Sequence, residues 1–241
     1  MTKTFFQFDA EHYDFWPLYE TIREYYPIGI QKNEINNCYR DFKGLKKYEE
    51  LLVKNIHNQQ EFQAKWGDFS DSLEDVFQKK VIGSTMGQEP SINGRIIFEE
   101  EDFDSVIHLK ELNFAISLLG PYFQIFATDK TILFGETPNR KYSTTNIVTV
   151  SPVGQMSEPF MVLARMIKSH FGDFKLVPFS LGQMIIQGLQ LPYSDSEECT
   201  VNMALFNNVL ENISECHILG DRHFDMQEWQ IKPREGEGMI N

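Results

Sequence analysis

The stretch that most limits what this chain can fold into runs from Asn93 to Gly135, where short apolar runs follow one another between turn-forming residues. From Leu112 to Leu119, the large residues Leu112, Phe114, Ile116 and Leu118 alternate with Asn113, Ala115 and Ser117. In a pleated strand this period of two sends every large side chain to one face, so that face is core. Gly120-Pro121 stops the run, because proline has no N–H for a ladder and presets a turn. Tyr122 to Thr128 resumes with the aromatic and β-branched residues that suit a strand. A reversal is expected at Asp129-Lys130, with Thr131 to Phe134 returning; the pair lacks the glycine favoured in two-residue hairpin turns, so a longer loop is the alternative. Asn93-Gly94 reads as a turn before a neighbouring strand, Arg95 to Phe98, and Thr144 to Val150 is a further β-rich run.

The first 80 or so residues carry a different period. Phe15, Leu18, Tyr19, Ile22 and Tyr26 recur at three and four, one stripe of an amphipathic helix that ends before Pro27-Ile28-Gly29. Pro17 fits only its first turn. A second helical stretch runs from Asn37 or Tyr39 to about Trp66, with a bend or break expected at Gly44 or the polar run Asn55 to Gln60. A third, Ser70 to Lys80, is read as capped by Ser70 or Asp71. Residues Gly83 to Gly94, rich in glycine and polar residues, mark the boundary between a helical part, 1–82, and a sheet part, 83–241, packed as one compact unit. Beyond the strands, Ser157 is expected to cap a helix with Phe160, Leu163, Ala164, Ile167 and Phe171 inside and Gly172 closing it. Phe174 to Phe179 and Gln183 to Leu191 read as interrupted strands and Asn202 to Ile213 as a helix. Cys216 to Ile231 reads as one or two last strands and Glu235 to Gly238 as a solvated tail. The class is α+β: a helical N-terminal part laid on a mainly antiparallel sheet, with one further helix on the sheet.

Charge narrows the function classes. With 22 Lys and Arg against 35 Asp and Glu, the net charge of −13 leaves too few clustered cations for nucleic-acid binding and favours a basic protein partner. No run approaches 18 apolar residues, so no membrane association is expected, and the N-terminus has no signal-peptide core. Three cysteines, Cys38, Cys199 and Cys216, form no paired framework, which suits a reducing cytoplasm. Twenty phenylalanines supply core and also candidate interface anchors.

Motifs with defined chemistry are missing. Gly83, Gly87 and Gly94 match neither the P-loop nor the dinucleotide fingerprint, no G-x-S-x-G surrounds Ser180, and Asp173-Phe174-Lys175 has no partner acid. Two segments remain as candidates. Glu99, Glu100, Glu101, Asp102 and Asp104 form the most acidic patch, a surface for a basic partner; a strand would send successive carboxylates to opposite faces, which argues against a metal site. Cys216 to Asp225 gathers His217, Asp221 and His223, a weak metal-ligand or catalytic set without zinc spacing. The expectation is therefore a cofactor-free, acidic protein-binding module, of which an immunity-type inhibitor of a basic toxin is one form. The alternative is a metal-assisted enzyme using Cys216 to Asp225.

Overall fold

The structure, a computed structural model, describes residues 3–32, 37–103, 105–135, 141–207, 209–210 and 216–231. Helices α1 (Trp16–Tyr25), α2 (Lys43–Leu52) and α3 (Gln59–Phe77) precede the strands β1 (Val81–Gly83), β2 (Ser91–Phe103), β3 (Val106–Ser117), β4 (Tyr122–Phe134) and β5 (Lys141–Thr149). After them come α4 (Ser157–Phe171), β6 (Lys175–Leu176), the short helices α5 (Phe179–Gly182) and α6 (Val201–Leu205), and β7 (His217–Leu219). The fold is α+β. The strands form one sheet in the order β1-β2-β3-β4-β5-β7, antiparallel except for β7 on β5 and for β6, which lies parallel to the first residues of β4.

The period of two in β3 decides how the sheet is covered. Leu112, Phe114 and Ile116 line up with Ile96 on β2 and with Phe123, Ile125 and Ala127 on β4, and all are buried. Over this face lie α3, through Phe69 and Leu73, and α4, through Phe160, Leu163 and Ile167. Complete burial of each such side chain contributes about 1.5–3 kcal/mol. A second cluster joins α1 and α2 to the segment from Val177 to Phe206 by way of Leu18, Ile22, Tyr26, Tyr48, Leu181, Leu189 and Leu205. Pro17 sits in the first turn of α1, where its missing N–H costs no helical bond.

Several sequence expectations give way to the structure. No reversal occurs at Asp129-Lys130: β4 runs straight through, and the pair marks a bulge at which the register with β5 shifts. Asn93-Gly94 lies inside β2, paired with Ala115 and Phe114. Ser70 and Asp71 start no helix, because α3 is continuous from Gln59; Asn58 caps it by accepting the Glu61 N–H at 3.4 Å. The polar break after α2 is present as a π-helical turn, Val53–His57. Ser157 makes no capping bond, since a 3-10 turn, Gly154–Met156, leads directly into α4. The reading of Gln183 to Leu191 as a strand reduces to isolated bridges, from Ile185 to Phe5 and Thr200 and from Leu189 to Ile28. Of the helix expected from Asn202 to Ile213, α6 covers Val201–Leu205, with Thr200 accepting the Met203 N–H at 3.2 Å; residues 208 and 211–215 lie outside the described set. Glu235 to Gly238 also lie outside it.

Candidate functional site

Two surfaces gather the residues that sequence singled out. The first is the far end of the meander. The early residues of β2 and β4 and the late residues of β3 are mostly buried, but the last five of β2 are exposed, so the hairpin ends project beyond the helices. Successive side chains on a strand alternate between faces while cross-strand partners share one. Glu99 and Glu101 therefore stand on one face, Glu100 and Asp102 on the other. Asp104 lies outside the described residues.

On the face of Glu99 and Glu101 the register adds a feature with no local sequence signal. Phe103 pairs with Val106, Val106 with Leu133, and Leu133 with Tyr142, so four apolar side chains form one row across β2, β3, β4 and β5. Phe103 is 58% exposed, Leu133 44% and Tyr142 55%. Behind this row come Glu101, His108, Thr131 and Thr144, then Glu99, Lys110 and Asp129. Lys110 Nζ lies 2.5 Å from Glu99 Oε2, and this pairing, with Asp129 and Glu101 nearby, holds the ammonium above its ordinary pKa. His108 Nδ1 sits 3.3 Å from Thr131 Oγ1, and Asn146 donates to Thr131 Oγ1 at 2.9 Å. The surface is thus an apolar row with an acidic border, and three carboxylates outnumber the one lysine among them.

The second surface is a cleft of about 460 Å³ lined by the N-terminal segment and by residues around Ser180 and His223. Phe5, Tyr13, Phe15, Met184 and Met226 line its apolar walls, and Ser180 and His223 lie side by side in it. Ser180 Oγ is 3.0 Å from His223 Nδ1. The other candidates of this segment do not join them. His217 is exposed on β7 beside Ile147, and Cys216 donates its S–H to the Thr145 carbonyl at 3.1 Å. Asp221 is used structurally: its carboxylate accepts the His223 N–H at 2.8 Å and its own N–H donates to Ser151 Oγ at 2.8 Å. Among the described residues, no group of three or more His, Cys, Asp or Glu is placed to hold a metal ion.

The partners that sequence reasoning missed were hidden by sequence distance. Phe103 and Tyr142 are joined only through the register of four strands, and Ser180 meets His223 only because β6, α5 and the turn after β7 converge. Counting cross-strand partners outward from Ile116 would have found the row, had β4 been read as unbroken. Comparison with protein-family models, curated proteins and solved structures finds no match to this chain. Among the described residues, no helix is long and apolar enough to cross a membrane.

Proposed function

We propose that this chain is an acidic protein-binding module that engages a basic protein through the projecting face of β2 to β5, acting in the cytoplasm as an immunity-type inhibitor acts on a toxin. The observation that carries the reading is the row of Phe103, Val106, Leu133 and Tyr142, exposed except at the half-buried Val106 and bordered by Glu99, Glu101 and Asp129. Aromatic and aliphatic anchors at the centre of a patch supply most of the affinity of an interface. A charged rim supplies orientation and a fast encounter. The net charge of −13 extends that preference for cations over the whole molecule.

The test is capture of partners by the tagged protein from its native cell extract at low and moderate salt, followed by measurement of affinity for the purified partner. A stoichiometric basic protein is expected, bound at least tenfold more weakly by Leu133→Asp, and with a smaller salt dependence for the double variant Glu99→Gln, Glu101→Gln. Retention of the same partner at full affinity by Leu133→Asp rules out this face as the docking surface.

A further inference from the structure

We propose that Ser180 and His223 form a nucleophile and base pair that acylates on Ser180 with small esters carrying an apolar acyl group. The cleft that holds the pair is lined by no residue of β2 to β5, so the inference is independent of the protein-binding reading. The hydroxyl stands 3.0 Å from the imidazole nitrogen, within the range at which a base takes the proton of an attacking oxygen. Nδ1 accepts that proton in the tautomer that carries hydrogen on Nε2.

Both members are positioned by main-chain bonds rather than by the hydrogen bond between them. Ser180, in α5, donates its N–H to the Arg222 carbonyl at 2.9 Å, so the chain just before His223 is tied to the serine. His223 donates its N–H to Asp221 Oδ1 at 2.8 Å and accepts the Met226 N–H on its carbonyl at 3.0 Å. Asp221 is itself anchored to Ser151. Neither reacting side chain is sealed off, His223 being exposed and Ser180 half-buried. The cleft before them has a volume typical of small-molecule sites, and Tyr13 stacks on Phe15 at 5.4 Å in its apolar wall. That wall accommodates the acyl chain.

In the step proposed, Ser180 Oγ adds to the ester carbonyl carbon while its proton passes to His223 Nδ1. The tetrahedral adduct collapses with cleavage of the bond to the alkoxy oxygen. The departing alcohol takes the proton back and leaves the acyl group esterified to Ser180. A water molecule that gives its proton to the same nitrogen then releases the carboxylic acid and restores the serine.

The experiment treats the full chain with p-nitrophenyl butyrate and, separately, with a fluorophosphonate, following nitrophenolate release, intact mass and the modified peptide. One group on Ser180 is expected, absent from Ser180→Ala and formed at least about 100-fold more slowly in His223→Ala, with partial rescue by added imidazole. His223→Asn retains hydrogen-bonding capacity toward Ser180 but has no base, so it must show the same loss with an unchanged thermal transition. Modification spread evenly over surface hydroxyls and amines, or an unchanged rate in His223→Asn, overturns the proposal and leaves the pair as a structural hydrogen bond.

Discussion

Trp66 occupies the space in front of Gly94 where a side chain would stand: a Cβ on Gly94 would come within 2.4 Å of the indole Cη2 and 2.6 Å of the Phe114 ring. Helix α3 approaches the sheet this closely because β2 has no side chain at that point. Trp66 then stacks on Phe114 with ring centroids 6.0 Å apart. Gly94→Ala should therefore destabilise the protein by about 1–3 kcal/mol, as overpacking of a core does. Urea unfolding measures the change, and Trp66 fluorescence should report a displaced indole.

A buried charge on the other face of the sheet sets a second expectation. Glu111 is 0% exposed; Lys130 Nζ lies 2.7 Å from its Oε2 and Arg95 Nη1 2.9 Å from its Oε1. The Arg95 contact lacks the alignment of a hydrogen bond, and Arg95 Nε has no hydrogen-bond partner among the described residues. Removal of the carboxylate strands two cations, so Glu111→Leu should cost about 3 kcal/mol, the low end for a broken buried pair because both cations keep some access to water. The triple variant Arg95→Met, Glu111→Leu, Lys130→Met should be more stable than Glu111→Leu alone. Equal stabilities would mean that the ionic network contributes nothing specific.

Alkaline pH tests the seam between α1, α2 and the C-terminal segment. Tyr26 donates to the Ala204 carbonyl at 3.2 Å and Tyr193 to the Met203 carbonyl at 2.5 Å, with Tyr48 packed against both rings. Burial drives the phenols of Tyr26 and Tyr193 well above their ordinary value of 10.0. In the unfolded chain these groups ionise near pH 10, whereas in the folded chain they stay protonated. The folded state thus binds more protons above pH 10, and stability that is complete below that pH falls as the pH rises through it. Tyrosinate absorbance from these two residues should appear only with unfolding. Tyr26→Phe should lessen the alkaline loss while costing about 1 kcal/mol at neutral pH, from the carbonyl left without its donor.

The strands of the meander were legible because a strong alternation, Leu112 to Ile116, fixes both the element and its inner face. Their ends were not. Asp129-Lys130 looks like a turn because it is polar, yet it is polar because β4 is leaving the core at that point. Asn93-Gly94 looks like a hairpin turn, and the glycine is instead required by Trp66. Residues 183–191 were misread for a different reason. They are partly buried irregular chain held by isolated bridges and, at the Gln190 carbonyl, by the Tyr39 hydroxyl, and neither leaves a period in the sequence. Of the candidate site, the acidic residues stood out by composition, whereas the apolar row beside them depends on register alone.

That row should prove dispensable for folding if its exposure reflects a docking role. Phe103, Leu133 and Tyr142 lie beyond the helices that cover Ile116 and Phe123, and each keeps 44% or more of its surface in solvent. Replacing Phe103 or Tyr142 by Ser removes little buried area, so each should change stability by no more than about 0.5 kcal/mol. Ile116→Ala, in the covered part of the same sheet, should cost about 2–5 kcal/mol. Chemical denaturation of the three variants under one set of conditions separates the two roles. A cost above about 1 kcal/mol for Phe103→Ser and Tyr142→Ser would assign the row to the fold and remove the anchor on which the proposed interface rests.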